Sequence, residues 1–321
     1  MDKSEVIKLM ESKDRKVPEK MRVIDDTSNF MRIESDDVMI LNNKPYLVLR
    51  NEKERGFGMD DDPKFWVKRA IDLSDNSKKI IKLVFYEEFE QKLGDFSVQF
   101  FRSPIKEAKV LDAVVGNGFF MQGTSVNDVS DNNVRIIDYI YGTPLNAYMA
   151  KSTVAHQEYF EKVLPEFLSA LLDCMESLGF LHENGFVHGD VRWDHIFWDR
   201  DNEVFRWIDF DYNYQFPENP YGADLFGLGK ILTSIIGKGV YLLYDLKTNQ
   251  QFSHVIDDLY IEDFSLLDQN RFVNLKKLYP YIPDELNQVM LNFSGYASNF
   301  YLSVPELFDD LRSALKIVYG F

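Results

Sequence analysis

One stretch of the chain, residues 181–211, constrains the fold more than any other part of the sequence. It links the end of a helical pattern to an apolar run and a polar loop, and then to two more apolar runs that flank the turn 199–202. Two short apolar runs around such a turn predict a β-hairpin. Because Asp190 and Asp209 stand on either side of this hairpin, we expect both carboxylates at the same end of it. Aspartate is also an ordinary turn residue, but the spacing favours a functional role.

The residues of this stretch also match a known pattern. The segment 188–192 reads His-Gly-Asp-Val-Arg, and Asp209-Phe210 follows the hairpin. This arrangement resembles the catalytic and metal-binding loops of the protein-kinase-like superfamily, including its aminoglycoside-phosphotransferase-like and other atypical members. The family pattern has an Asn five positions after the catalytic Asp and a Gly directly after Asp-Phe. This chain departs from the pattern at both places, with His195 and Asp211.

The resemblance implies an α+β fold of the bilobal protein-kinase-like type. A small N-lobe with an antiparallel sheet and one helix should occupy residues 30–141, and a larger helical C-lobe should occupy residues 142–321. Residues 1–29 are polar and charged, which is typical of a mobile arm or of one loosely packed helix.

Composition restricts the classes of partner. With 321 residues, of which 45% are hydrophobic, the chain can build two lobes with separate cores. Its net charge of −16 repels nucleic acid and anionic membranes, which excludes both as general partners. A nucleotide is still compatible, because a divalent cation can neutralise its phosphates locally. The single cysteine, Cys174, rules out an intramolecular disulfide. We see neither a signal peptide nor an apolar run of membrane length, so a cytoplasmic location is expected.

Apolar periodicity and capping residues predict the individual elements. A helix should begin after Ser103, which can cap it, with Pro104 at its first position. Short apolar runs predict strands at 30–33, 38–41, 46–49, 65–71, 79–85, 119–121 and 134–142. Helical patterns cover 160–181, 223–236, 265–279, 283–293 and 304–318.

Two candidate nucleotide-binding segments lie in the predicted N-lobe. Gly56-Phe57-Gly58, between two strands, resembles the kinase glycine-rich loop, in which backbone amides approach phosphates; two glycines are also ordinary in a hairpin. The acids at 60–62 depart from the family and fit a solvated turn better. By resemblance alone, Asp138, Tyr139 and Ile140 are the hinge positions whose backbone would receive an adenine.

Lys82 is the best match to the family lysine that holds the α- and β-phosphates. It lies on the predicted strand 79–85, where Lys79 competes for the role, as does Lys68 on the preceding strand. The family lysine needs a glutamate on the following helix to fix its ammonium group, and Glu107 is the candidate. As an acid in a first helical turn, Glu107 could instead act only on the helix dipole.

The resemblance also assigns roles in the loops. Asp190 would orient or deprotonate the acceptor hydroxyl, Arg192 would steady the transferring phosphoryl group, and Asp209 would hold the metal ion. Mg²⁺ prefers oxygen ligands, whereas Mn²⁺ tolerates nitrogen better. His195 is therefore compatible with one ion held mainly by Asp209, with a Mn²⁺ preference, with a lost metal site, or with simple packing in the loop.

The expected function is ATP-dependent transfer of the γ-phosphate to a hydroxyl acceptor, a protein Ser/Thr or a small molecule, with Mg²⁺ or Mn²⁺. The alternatives are a nucleotide-binding pseudokinase that acts as scaffold or sensor, and a kinase fold that transfers AMP. Gly189 replaces the Arg that receives an activation-loop phosphate in many protein kinases, so this control is not expected. Asp224 resembles the family's helix acid that supports the catalytic loop, although it could also be a plain helix N-cap. It follows Asp209 by only fifteen positions. That length is too short for the usual peptide-docking platform.

Overall fold

The computed structural model describes residues 1–53, 62–93, 96–216, 219–295, 297 and 300–320. The chain divides into two compact units. The first unit consists of Met1–Glu87 and Arg102–Tyr141, and the second consists of Glu88–Phe101 and Gly142–Phe321. The chain therefore leaves the first unit for one short segment, returns to it, and then passes to the second unit.

The elements up to Tyr141 are mainly strands. In chain order they are α1 (Lys3–Ser12), β1 (Val23–Ile24), a 3₁₀ turn (Phe30–Arg32), β2 (Val38–Leu41), β3 (Lys44–Lys53), β4 (Pro63–Asp72), β5 (Lys78–Lys82), β6 (Glu88–Leu93), β7 (Phe96–Arg102), α2 (Pro104–Ala113), β8 (Gly123–Asn127) and β9 (Asn133–Asp138).

The elements after Tyr141 are mainly helical. They are β10 (Gly142–Pro144), α3 (Leu145–Met149), α4 (His156–Glu158), a π-helical turn (Tyr159–Val163), α5 (Leu164–Glu176), α6 (Leu178–Glu183), a 3₁₀ turn (Trp193–His195), β11 (Ile196–Asp199), β12 (Val204–Trp207), β13 (Tyr212–Gln215), α7 (Gly222–Ile236), α8 (Leu243–Thr248), 3₁₀ turns (Gln250–Asp258, Ile261–Asp263), α9 (Leu275–Leu278), α10 (Asp284–Leu291) and α11 (Val304–Tyr319).

A sheet of seven strands, counted over the described residues, organises the first unit in the order β1-β2-β3-β4-β5-β9-β8. The β1–β2 pair is parallel and the other pairs are antiparallel. Successive side chains of a strand point to opposite faces. Leu47 and Val48 of β3 accordingly belong to two different apolar clusters. The cluster that contains Leu47 also contains Val6 and Met10 of α1, so the N-terminal helix is packed against the sheet.

Two strand predictions in this unit are wrong, and each has a local cause. Phe30–Arg32 form a 3₁₀ turn, because the Lys68 ammonium draws the carbonyls of Phe30 and Ile33 together, at 3.1 and 2.6 Å. Residues 119–121 precede the real strand β8. There the Gln122 side-chain amide donates to the carbonyls of Asn117 and Phe120 and closes a turn.

The second unit packs its helices around a buried hairpin. As predicted, β11 and β12 pair antiparallel, with Ile196 opposite Trp207 and Asp199 opposite Val204. The Trp207 indole N–H donates to the Cys174 carbonyl of α5 at 2.7 Å, which fixes the hairpin to that helix. In the described ranges, no helix is both long enough and apolar enough to cross a membrane.

The prediction of a helix over 265–279 is wrong. Only Leu275–Leu278 is α-helical there. The buried Asp263 carboxylate accepts hydrogen bonds from Asn274 at 2.6 Å and from Lys277 at 2.8 Å. These bonds hold residues 274–277 next to Asp263, so the segment between them forms a loop. The apolar residues of 265–279 therefore belong to a loop whose side chains are partly buried, and not to one continuous helix. By contrast, the predicted helix after Ser103 is confirmed, including its Ser103 cap and Pro104 start.

Lys68 provides a test of this packing. Burial lowers the pKa of its ammonium to about 8, so it is still charged at neutral pH, where it donates to Phe30, Ile33 and Asn51. Lys68→Met leaves those acceptors without their donor and should lower the free energy of unfolding by about 2–4 kcal/mol. The control is Lys79→Met, because Lys79 pairs with the exposed Asp138 and should cost less than about 1 kcal/mol. Equal losses in chemical denaturation would contradict the assignment.

Candidate active site

A single carboxylate on α7 holds the candidate catalytic loop, residues 188–195, in place. Asp224 is buried and accepts the backbone N–H groups of His188 at 2.6 Å and Gly189 at 2.9 Å. It also accepts from the His182 imidazole at 3.1 Å, whose ring stacks on Tyr221. Burial alone would raise the pKa of Asp224, but the bonds and charges of His182, His188 and Gly189 hold it below its ordinary value. The predicted supporting role of Asp224 is confirmed, and His182 is a partner that the sequence analysis did not single out.

Asp190 directly follows Gly189, whose backbone N–H is bound by Asp224, and it is partly buried. Its backbone N–H donates to His188 Nδ1 at 3.3 Å. Burial raises the pKa of the Asp190 carboxyl, against the opposing effect of the charges on His195 and Arg192. A raised pKa is what a carboxylate needs to accept a proton near neutral pH.

Arg192 is oriented by a neighbouring acid. Its guanidinium binds Asp194 through two hydrogen bonds, of 3.0 and 2.6 Å. Its Nη1 also lies 3.8 Å from Asp190 Oδ2. Burial alone would lower the pKa of Arg192, but the two acids raise it above its ordinary value. Asp194 therefore fixes Arg192 beside Asp190.

His195 is held in a defined tautomer and orientation. Its Nδ1 lies 2.9 Å from the backbone carbonyl of Asp190, so Nδ1 carries the proton and donates it. The opposite ring nitrogen, Nε2, lies 3.7 Å from Asp209 Oδ2. A histidine that ligates a metal ion typically donates its other ring N–H to a carbonyl or carboxylate in this way.

Asp209 has a strained backbone, with φ at +69°. Aspartate is one of the few side chains that tolerate this left-handed region, and such strain often marks a functional site. The next residue, Phe210, is fully buried and its ring meets the His188 ring edge-on at 4.9 Å. A carboxylate oxygen of the buried Asp211 lies within 4.8 Å of one from Asp209. The hairpin thus brings Asp209 to the loop that carries Asp190 and His195, as the spacing predicted.

A second charged cluster lies in the first unit. Lys82 Nζ is 2.7 Å from Glu107 Oε1, and Arg135 Nε is 3.2 Å from Glu107 Oε2. Glu107 and Arg135 are both fully buried. Arg135 also donates to the carbonyls of Asn133 at 2.6 Å and Leu83 at 3.1 Å. Two cations therefore share one carboxylate.

The sequence analysis did not predict Arg135 as a partner of Glu107, although its position in the sequence was informative. It is a lone charge in an otherwise apolar run, and strand pairing places it opposite Lys82. The competing lysines are engaged elsewhere, since Lys79 pairs with Asp138 at 2.6 Å and Lys68 binds backbone carbonyls.

The remaining predicted nucleotide residues lie at the end of β9 or outside the described residues. The backbone N–H of Asp138 donates to Gln122 at 2.9 Å. The Tyr139 ring meets the Tyr141 ring edge-on and lies under the Arg69 guanidinium, 4.7 Å from the ring centre. Ile140 directly follows Tyr139. Gly56, Phe57 and Gly58 lie outside the described residues.

Comparison with solved structures identifies the architecture. A double-mutant kinase domain of Mycobacterium tuberculosis PknI aligns with 84% of this chain and 95% of that domain, with a TM-score of 0.50 and 14% sequence identity. The chain has a protein-kinase-like fold. The fold class predicted from the loops and the hairpin is thereby confirmed.

Comparison with known sequences is more limited. No family model matches the chain. The serine/threonine-protein kinase Kist of human and of mouse is 42% identical over 43 residues, which are 13% of this chain and 10% of each Kist protein. The match thus spans about a tenth of the length of those kinases.

The Asp224 anchor predicts a specific pH dependence. Because its folded pKa is depressed, Asp224 stabilises the fold fully above the ordinary carboxyl pKa, and this contribution is lost as pH falls through the folded value. Asp224→Asn should cost about 3 kcal/mol in free energy of unfolding at neutral pH. The difference from the unmodified chain should stay constant down to about pH 5 and shrink below about pH 4. Asp173→Asn is the control, because Asp173 is an exposed partner of Arg312; a loss as large there would contradict the prediction.

The Glu107 cluster predicts strong energetic coupling. A double-mutant cycle of Glu107→Gln and Arg135→Met, followed by chemical denaturation, should give a coupling free energy of about 1–3 kcal/mol, because both groups are buried. The matched cycle uses Glu52 and Arg69, which form a more exposed pair at 2.5 Å, and should give less than about 1 kcal/mol. If both cycles gave the same coupling, Arg135 would not be a partner of Glu107 in solution.

Proposed function

We propose that this chain is an ATP-dependent phosphotransferase of the protein-kinase-like type, which transfers the γ-phosphate to a hydroxyl acceptor. The observation that carries the proposal is the pose of His195. The Asp190 carbonyl binds the Nδ1 proton at 2.9 Å, so the Nε2 lone pair faces Asp209 Oδ2 at 3.7 Å. A chain that lacks the family Asn therefore still presents a nitrogen and an oxygen donor side by side.

The donor set fits a divalent ion. Asp209 and His195 would hold it, and Asp211 offers a further oxygen near Asp209. One nitrogen donor among oxygens favours Mn²⁺ over Mg²⁺. Such an ion, when bound, neutralises charge on the phosphate oxygens.

The other side chains have roles that follow from their contacts. Asp190, with its raised pKa, would accept the proton of the acceptor hydroxyl. Arg192, oriented by Asp194, would stabilise negative charge on the transferring group. Lys82 would bind the α- and β-phosphates while Glu107, itself held by Arg135, keeps its ammonium oriented. Asp138, Tyr139 and Ile140 would receive the adenine, as in the family.

The acceptor class follows from the chemistry of an aspartate base. The Kist proteins are named serine/threonine-protein kinases, which favours a hydroxyl acceptor. The short interval between Asp209 and Asp224 favours a small molecule or a protein that docks elsewhere on the chain.

A nucleotide-binding pseudokinase is the second candidate, and the same imidazole favours it. In a protonated state, His195 would pair with Asp190 Oδ2 at 3.5 Å and with Asp209 Oδ2 at 3.7 Å. It would then neutralise both acids without a metal ion. Transfer of AMP on the same fold is a third outcome of the test below.

The three readings separate in one assay with ATP labelled at the γ- or the α-phosphate. We expect release of ADP in the presence of Mn²⁺, with the γ-label transferred to water or to a hydroxyl group of the chain when no other acceptor is added. Asp190→Asn and Asp209→Asn should abolish both, whereas Asp201→Asn, in the exposed turn of the hairpin, should not. Transfer of α-label would instead identify AMP transfer. If ATP raised the melting temperature but was not turned over with Mg²⁺ or with Mn²⁺, the chain would be a pseudokinase.

The metal preference provides a sharper prediction. His195→Asn restores an amide oxygen at this position, so the ratio of kcat/KM with Mn²⁺ to that with Mg²⁺ should fall by about tenfold or more. The control is His254→Asn, because His254 is an exposed histidine whose Nδ1 lies 3.1 Å from the Gln251 carbonyl of its own turn. An unchanged ratio in His195→Asn would remove His195 from the metal site.

A further inference from the structure

The segment Glu88–Phe101 is the part of the chain that leaves the first unit to join the second. Its strands β6 and β7 pair antiparallel, with Phe89 opposite Phe100. Strand β13 extends this pair into a sheet with the order β13-β7-β6. Because β13 starts directly after Asp211, the β6–β7 ribbon is bonded to the segment that follows the candidate metal ligand Asp209.

Aromatic packing reinforces the strand pairing. Phe89 stacks on Phe100 at 5.5 Å and meets Tyr212 of β13 edge-on at 5.7 Å. Phe100 in turn lies 5.5 Å from the Tyr214 ring. Val98 of β7 is fully buried in the same cluster. Both ribbon phenylalanines thus contact β13 through its tyrosines.

Strand β13 connects this packing to the catalytic loop in two ways. The Tyr214 hydroxyl accepts the backbone N–H of Asp224 at 3.3 Å, and Asp224 holds the amides of His188 and Gly189. In addition, a Cβ on Gly189 would lie 2.0 Å from the Tyr212 carbonyl oxygen, and Gly189 has φ at +89°. Only glycine fits there while β13 stays in this position.

The segment between Asp209 and Asp224 has few hydroxyl side chains that could be phosphorylated. Between Asp209 and Asp224 it contains no Ser or Thr, and its hydroxyl side chains are Tyr212, Tyr214 and Tyr221. Tyr214 is buried, and Tyr221 donates its hydroxyl to the His182 carbonyl at 2.7 Å.

We propose that the β6–β7 ribbon orders the segment after Asp209 by strand pairing, and that Phe89 and Phe100 are positioning residues for Asp209. The ribbon thereby replaces a phosphate as the element that holds this segment on the catalytic loop. The proposal rests on the phosphotransferase function as far as activity is concerned, but the ordering itself can be measured without activity.

The experiment compares Phe89→Ala and Phe100→Ala with the unmodified chain by amide hydrogen exchange and kinetics. We expect exchange at residues 212–215 to rise about tenfold or more in both variants, because their opening is no longer opposed by the ribbon. With activity present, kcat should fall while KM for ATP changes less than about twofold, since Asp209 is displaced and Lys82 is not. Phe100→Leu should restore part of both quantities.

Phe264→Ala is the matched control, because Phe264 is as buried as Phe100, each at 7% exposure, and packs on Phe272 rather than on β13. It should leave exchange at 212–215 unchanged. Phe89 is 40% exposed, so Phe89→Ala keeps the test valid if Phe100→Ala does not fold. Unchanged exchange in Phe89→Ala, or an equal rise in Phe264→Ala, would overturn the proposal. A chain without turnover that still shows the expected exchange would contradict the phosphotransferase function and leave the ribbon's role intact.

Discussion

The candidate catalytic loop depends on one buried carboxylate. Asp224 accepts two backbone amides and an imidazole N–H, and it remains charged because these donors outweigh the cost of burial. The loop from His188 to His195 has little secondary structure of its own, so its shape is imposed from α7. Every proposed role of Asp190, Arg192 and His195 requires that shape.

Charge is distributed differently in the two units. Near the catalytic loop, the acids Asp190, Asp194 and Asp209 face Arg192 and His195, an arrangement that suits a cation. In the first unit, Glu107 is shared by Lys82 and Arg135. A net charge of −16 is therefore compatible with the proposed nucleotide and metal ion, because local charges decide binding at short range.

The segment after Asp209 explains why residue 189 is a glycine. Gly189 stands where many protein kinases have an arginine, and in the sequence this is only a missing residue. In the structure, the Tyr212 carbonyl occupies the space that any side chain at 189 would need. The ribbon that pairs with β13 gives that arrangement its support.

The sequence by itself determined the β11–β12 hairpin and the helix after Ser103, because these depend on local spacing, caps and turns. The fold class and the supporting role of Asp224 followed from the resemblance of the loop residues to the protein-kinase-like pattern. The sequence did not determine the turn at 30–33 or the loops over 265–279, where the side chains of Lys68 and Asp263 override apolar periodicity through contacts distant in sequence. Only the tertiary structure placed Arg135 on Glu107, turned His195 Nε2 towards Asp209, and joined β6–β7 to β13. Each of these pairs residues across a strand register or a loop, and one sequence carries no direct measure of such distances.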